Sequence, residues 1–281
     1  MFGGKKEEGR PRLCPACGTL VGSTATRCHN CGASMTFSLA AASKSLSGVL
    51  PTETPATYLV LIANIVLFVY SLLLTMKVRP EGFNLLGNID GMVLYRLGAC
   101  YPTLFFTHEY WRLVMPNFLH GGLIHIVMNS FVLMDVGPKV EDVYGSARFF
   151  FLYLVTGISG FIVSAWMGHF SIGASASVCG LIGVMIGITY RRGGALNQMI
   201  RSFLIRWVIF IFIFGLMPGV DGAAHFGGLA AGFVLGRYVF DDREPVNAAE
   251  RNRAYFLGWS ALLLVVVSFA LMARNFLAHA M

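Results

Sequence analysis

Charged residues are scarce in this sequence, at 12% of its 281 residues, whereas soluble domains carry about 25%. Hydrophobic residues instead make up 56% of the chain. A composition this poor in charge excludes an ordinary soluble globular protein. Internal repeats are lacking as well, and with them the inverted symmetry that is typical of many membrane transporters.

Apolar runs separated by short polar breaks fill most of the chain, and each is close to the ~20 residues that a membrane-spanning helix needs. We expect spans at residues 57–76, 115–136, 148–167, 174–190, 203–218, 223–240 and 255–273. The predicted fold class is therefore all-α. It is a polytopic membrane bundle with a core of six spans and one additional C-terminal span.

Lysine and arginine are unevenly distributed among the breaks between these runs. The breaks after the second, fourth and sixth runs are rich in them, whereas residues 168–173 and 219–222 contain none. The long loop 77–114 contains four, but short loops dominate the positive-inside rule. The distribution predicts an integral, multi-pass membrane protein with a cytoplasmic N-terminus and, after an odd number of spans, an outside C-terminus.

Four of the six cysteines lie within the first 32 residues, as two Cys-x-x-Cys knuckles separated by ten residues. Four thiolates in this spacing can close a tetrahedral zinc site, and a unit this small needs a metal to fold. Two disulfides are the alternative, which a reducing cytoplasm disfavours. We expect a structural zinc ribbon at residues 1–32 and a linker at residues 33–56. Its ligands would be Cys14, Cys17, Cys28 and Cys31.

Polar side chains also occur inside three of the predicted spans, where they are costly and often functional. Spans two, four and six run in the same direction, so the groups fall at a similar depth in the outer half of the membrane. A serine beside a neutral histidine forms an activated nucleophile and its base. Taken singly, a serine can bond its own helix and a histidine can bridge helices. The residues are His120, His125, Asn129, Ser175, Ser177, Asp221 and His225.

Four short motifs carry a resemblance to a known family. They are Trp111-Arg112, then Phe118-Leu-His120-Gly-Gly-Leu-Ile-His125-Ile-Val-Met-Asn129, then Gly173-Ala-Ser175 with Gly180-Leu-Ile-Gly183, and Ala224-His225-Phe-Gly-Gly228. In this order they resemble the rhomboid family of intramembrane serine proteases. The resemblance covers residues 57–240, which would be the catalytic domain, and leaves residues 241–281 as a loop and an additional helix.

The resemblance implies that Ser175 is the nucleophile and His225 the general base of a dyad. It also implies that His125 and Asn129 donate to the oxyanion. The expected reaction is hydrolysis of peptide bonds in or next to transmembrane segments, through an acyl-enzyme and without a catalytic cofactor. The expected partners are transmembrane protein substrates and the lipid bilayer, with no nucleic acid. The expected location is a prokaryotic inner membrane.

Two positions depart from the family pattern, and other interpretations stay open. Ala176 stands where the family usually has glycine, and Cys179 stands where many members have an aromatic residue. Ser177 is a competing nucleophile, and Asp221 is expected to cap a helix. The main alternative function is a non-catalytic rhomboid-like protein that binds membrane clients. Two others are a metal enzyme or transporter that uses the membrane histidines, and a zinc-ribbon scaffold with a membrane anchor.

Overall fold

The structure is a computed structural model that describes residues 11–14, 17–35, 53–80, 89–217, 219–243 and 247–278. Most of the predicted linker, residues 36–52, lies outside them. Two short antiparallel strands, β1 (Arg12–Leu13) and β2 (Leu20–Val21), form a hairpin near the N-terminus. The helices are α1 (Pro55–Val78), α2 (Gly91–Arg96), α3 (Leu104–Thr107), α4 (Leu123–Trp166), α5 (Ser175–Arg192), α6 (Gly194–Phe214), α7 (Gly222–Val234) and α8 (Ala248–Ala278).

The predicted all-α membrane bundle is confirmed. Among the described helices, α1, α4, α6 and α8 are long and apolar enough to cross a membrane. Helix α4 covers most of the second and third predicted spans. It is broken between them at Gly145, whose φ of 75° and ψ of 157° are not helical. Helices α5 and α7 are shorter and rich in glycine, and α7 continues into a π-helical turn at Leu235–Val239.

The predicted second span begins later than expected. Two 3₁₀ turns, Tyr110–Leu113 and Met115–Phe118, precede α4, which begins only at Leu123. Pro116 has no amide hydrogen for a helix, and Gly121 and Gly122 follow it. The apolar residues of this segment are buried against the bundle, so their hydrophobicity reflects packing rather than a membrane crossing.

Glycines allow α5 and α7 to pack backbone to backbone, as their spacing predicts. A Cβ atom at Gly228 would overlap the carbonyl oxygen of Ala176, and one at Gly232 would overlap that of Gly180. From the other helix, a Cβ at Gly187 would lie 2.7 Å from the carbonyl oxygen of Phe233. This close pairing sets the distance between the residues at the starts of the two helices.

The carboxylate of Glu141 joins the turn in α4 to the first helix. It accepts hydrogen bonds from the backbone N–H groups of Ala56 (2.9 Å) and Thr57 (2.8 Å), and from the Thr57 hydroxyl at 2.7 Å. Ser146 donates a further bond of 2.6 Å. The start of α1 and the break in α4 therefore share one end of the bundle, here called the Gly145 face.

Helix α8 packs on α4, on the two 3₁₀ turns that precede α4, and on α2. Gly258 lies directly against Ala147, where an added Cβ would come within 2.8 Å. At the other end of α8, Asn275 donates to the carbonyl oxygen of Arg96 at 3.3 Å. The additional helix is thus attached to the bundle at both of its ends.

Candidate active site

Ser175 is the first residue of α5, at the end of the bundle opposite the Gly145 face, and its side chain is half-buried. Gly173 precedes it with a φ of 119°, a conformation that favours glycine. A Cβ on Gly173 would lie 2.6 Å from Nε2 of His125 and 3.5 Å from Oγ of Ser175. Both side chains therefore border one point, which only glycine leaves open.

His225 lies in the first turn of α7, buried between α4 and α5. A Cβ on Gly160 of α4 would lie 2.5 Å from the carbonyl oxygen of Ala224 and 2.8 Å from Cβ of Ala176. The residues beside Ser175 and beside His225 therefore meet at Gly160. Among the described residues, no hydrogen bond joins the two side chains, and such bonds often tighten only when substrate binds.

His125 and Asn129 occupy successive turns at the start of α4. The Nδ1 atom of His125 accepts the backbone N–H of Gly121 at 3.3 Å, so in the neutral ring the proton lies on Nε2. Nε2 is the atom that faces Gly173 and Ser175. Asn129 donates one amide hydrogen to the carbonyl oxygen of His125 at 2.9 Å and has a second one. His125 can therefore offer a hydrogen bond to an anion beside Ser175, and Asn129 lies one turn farther along α4.

Ser177, the competing nucleophile, is fully buried and already hydrogen-bonded. Its hydroxyl donates to Oδ1 of Asn117 at 2.5 Å, and the Asn117 amide donates to the carbonyl oxygen of Val114 at 2.9 Å. Tyr153 donates to the carbonyl oxygen of Asn117 at 3.0 Å. Sequence reasoning missed Asn117, whose only signal was a polar residue within an apolar run.

His120 is fully buried, with its ring in edge contact with that of His125 at a centroid distance of 5.2 Å. In the part of the chain that the structure describes, the ligand atoms of His120, His125 and His225 do not form a group of three that could hold one ion. Within the described residues, these histidines therefore do not support the metal-dependent interpretation.

Comparisons with known proteins match the same region of the chain. A family model described as the rhomboid domain matches residues 107–242. RHOMBOID-like protein 4 of Arabidopsis thaliana is 37% identical over 175 residues, which cover 57% of this chain and 44% of the relative. Rhomboid protease GluP of Bacillus subtilis is 34% identical over 149 residues, covering 52% and 29%, respectively. The chain contains a rhomboid domain at residues 107–242.

A third relative matches a longer stretch of this chain. Rhomboid-like protease 3 of Toxoplasma gondii is 26% identical over 212 residues, covering 73% of this chain and 76% of the relative. The match spans only about half of the plant relatives, with 44% of RHOMBOID-like protein 4 and 53% of RHOMBOID-like protein 5 covered. The family thus includes proteins named as proteases, which act on membrane proteins within the bilayer.

Asp221 caps the N-terminus of α7, as expected from the sequence of this rhomboid. Its carboxylate accepts the backbone N–H groups of Ala223 at 3.0 Å and Ala224 at 3.2 Å. It also accepts a short hydrogen bond from Ser164 and contacts Nδ1 of His169 at 3.1 Å. Although burial raises the pKa of Asp221, these side-chain hydrogen bonds hold it below its usual value. The cap fixes α7 to the end of α4, four residues before His225.

Arg112 of the Trp-Arg motif fixes the loop that precedes α4. The side chain is buried, and its guanidinium donates to Glu109 at 3.0 Å and to the carbonyl oxygen of Tyr95 at 2.5 Å. It also lies 4.5 Å from the ring centroids of both Tyr95 and Trp111. The motif therefore stabilises the loop that borders the Ser175 end of the bundle.

The four ribbon cysteines form a group that could hold one metal ion, because their sulfur atoms all lie within 4.8 Å of one another. The Cys14–Cys31 and Cys17–Cys28 sulfur separations of 3.6 and 3.7 Å exceed the ~2.05 Å of a disulfide. They suit the ~3.8 Å edge of a tetrahedron with bonds of ~2.3 Å to zinc. Hydrogen bonding between Cys17 and Thr19 lowers the pKa of Cys17 to about 6, and burial raises that of Cys31 to about 12.

Proposed function

We propose that this rhomboid is an intramembrane serine protease in which Ser175 is the nucleophile and His225 the general base. The observation that carries the proposal is the point beside Gly173, which Ser175 Oγ and the protonated Nε2 of His125 both border. A nucleophile and an oxyanion donor must be this close to act on one carbonyl group. The meeting of Ala176 and Ala224 at Gly160 supports His225 as the base.

In the proposed reaction, Oγ of Ser175 attacks the substrate carbonyl carbon while its proton passes to His225. The oxyanion that forms accepts hydrogen bonds from His125 Nε2, the Asn129 amide and the backbone N–H of Ser175. His225 then returns the proton to the leaving amine, which departs and leaves an acyl-enzyme. Water, with His225 again as the base, hydrolyses the ester.

In this proposal, the dyad of Ser175 and His225 works without a carboxylate as a third member. The nearest acidic residue along its helix, Asp221, is occupied by the cap of α7 and by Ser164 and His169. Packing in the buried space between α4 and α5 would then orient the imidazole ring. A dyad of this kind still provides the base that a serine nucleophile requires.

Transmembrane helices are the proposed substrates, and they would approach from the side of α6. Only 6% of the residues in the most apolar part of this helix are buried, compared with 56% in α4. A ring contact of 6.3 Å between Phe131 and Trp207 lies between α4 and α6. Because α6 is so lightly packed, displacement of its outer end could admit both substrate and water to Ser175.

The proposed orientation places the Gly145 face in the cytoplasm of a prokaryotic cell. Lys139, Arg148, Arg191 and Arg192 all lie near this face, as the positive-inside rule requires. The ribbon, at residues 1–32, would then be cytoplasmic and would bind a structural zinc ion. Residues 57–240 would form the catalytic domain, and the C-terminus would lie outside.

Labelling with a serine-reactive fluorophosphonate in detergent tests the dyad. We expect wild type to be labelled, and Ser175→Ala and His225→Ala to abolish labelling while the proteins remain folded by circular dichroism. Ser177→Ala is the matched control, because it removes a hydroxyl two residues away that is buried and bonded to Asn117. The non-catalytic, client-binding alternative predicts no labelling of folded wild type, and that result would overturn the proposal.

A further inference from the structure

A cavity of about 720 Å³ lies between the additional helix α8 and the rest of the bundle. Its walls come from the start of α1, the break in α4 and one side of α8, with Phe118 at the far end. The walls from α1 and α8 lie outside the stretch that matches the rhomboid domain, residues 107–242. The cavity is separate from Ser175, since it opens at the Gly145 face.

The interior of this α8 cavity suits a hydrocarbon chain. Along α8 the lining extends from Arg251 to Phe269, which corresponds to about 27 Å of helix. Beyond its mouth the lining is apolar, and includes Leu59, Val60 and Leu262. The volume falls within the range of about 300–1,000 Å³ that is typical of small-ligand sites.

The mouth of the cavity carries a surplus of positive charge. Its charged lining residues are Asp142, Arg148 and Arg251, and Asp142 is exposed. Arg148 donates to the carbonyl oxygens of Tyr144 (2.8 Å), Asp241 (3.1 Å) and Arg243 (3.5 Å), which leaves two of its five N–H groups for a ligand. In the described ranges, no carboxylate lies within ion-pair distance of either arginine, although the carboxylates of Asp241 and Glu250 attract Arg148 from farther away. Arginine side chains that are not paired with a carboxylate bind phosphate groups well.

Two aromatic residues of α8 also line this part of the cavity. Tyr255 and Trp259 line the cavity one and two turns above Arg251. Tyrosine and tryptophan are enriched at the level of lipid headgroups, where one end of the ring is apolar and the other is polar. Their position indicates that the mouth lies at the membrane–water boundary and that the interior lies at the depth of the acyl chains.

We propose that the α8 cavity binds one anionic glycerophospholipid of the leaflet at the Gly145 face. Its phosphate group lies between Arg148 and Arg251, and an acyl chain fills the space between α1 and α8. The bound lipid completes the packing of α8 against the bundle, which is otherwise made by direct contacts such as Gly258 on Ala147.

Native mass spectrometry of the delipidated full chain in detergent tests this proposal, with dioleoyl phosphatidylglycerol and dioleoyl phosphatidylcholine as the titrated lipids. Wild type should bind one phosphatidylglycerol in preference to phosphatidylcholine. Arg251→Glu should weaken phosphatidylglycerol binding about tenfold, because it reverses a charge at the headgroup. The matched control is Arg253→Glu, which makes the same change on an exposed residue outside the lining and should leave binding unchanged.

A second variant tests the acyl-chain part of the site. Ala254→Phe places a ring in the cavity and should weaken both lipids, while circular dichroism confirms that the helices persist. Equal binding of the two lipids by wild type would overturn the proposal. So would equal losses in Arg251→Glu and Arg253→Glu, or undiminished binding by folded Ala254→Phe.

Discussion

The contact between α5 and α7 makes a sharp prediction for the variant Gly228→Ala. A Cβ atom at this position would overlap the carbonyl oxygen of Ala176, the residue after Ser175. Backbone cannot rotate away as a flexible side chain can, so the two helices must separate by on the order of 1 Å or distort. Overpacking of this kind typically costs about 1–3 kcal/mol. The same displacement would carry Ser175 away from His225.

Gly222→Ala is the matched control for this experiment. It makes the same substitution at the start of the same helix, where nothing lies within 4 Å of the added atom. Alanine favours a helix over glycine, so this variant should be neutral or more stable by up to about 1 kcal/mol.

The assays are the free energy of unfolding in mixed micelles and the rate of fluorophosphonate labelling. Gly228→Ala should lose stability by the stated amount and label more slowly, whereas Gly222→Ala should match wild type in rate. If the two variants proved equally stable and equally reactive, the close packing of α5 on α7 would not control the site, and the reasoning would be refuted.

Three further predictions concern other parts of the chain. Glu141→Gln should lower the free energy of unfolding by about 1–3 kcal/mol, because an amide donor then faces N–H and O–H donors; unchanged thermal unfolding would contradict this. Arg112→Lys keeps the charge but loses the planar fork and ring stacking, and should cost about 1–2 kcal/mol in the same assay, whereas full stability would show that charge alone suffices. Metal analysis by plasma mass spectrometry should find one zinc ion per chain and none in Cys28→Ser, with labelling of Ser175 retained; equal zinc in both proteins would exclude the ribbon site.

Periodic and local features of the fold could be predicted from the sequence. The position of Asp221 predicted a helix cap, because capping depends on residues within one turn. The four-residue spacing of Gly228, Gly232 and Gly236 is likewise a local pattern that indicates close helix packing. The grouping of the four ribbon cysteines could likewise be predicted from their spacing. Ser175, His225, His125 and Asn129 remain predictions as site residues, although the structure places His125 beside Ser175.

Other features could not be predicted, because they depend on contacts between distant residues. The 3₁₀ turn Met115–Phe118 lies at the start of a predicted span, and hydropathy does not distinguish crossing the membrane from packing on the bundle. The bond from Ser177 to Asn117 joins residues 60 positions apart. The α8 cavity likewise exists only where three separate segments meet.

The central claim is that Ser175 is the nucleophile, and the most direct measurement is to find which residue a fluorophosphonate modifies. Wild-type protein in detergent would be reacted with the related reagent diisopropyl fluorophosphate, digested, and sequenced by tandem mass spectrometry. We predict a single adduct on Ser175 that is absent when His225 is replaced by alanine. An adduct on Ser177 or another serine, or no adduct on folded protein, would contradict the account.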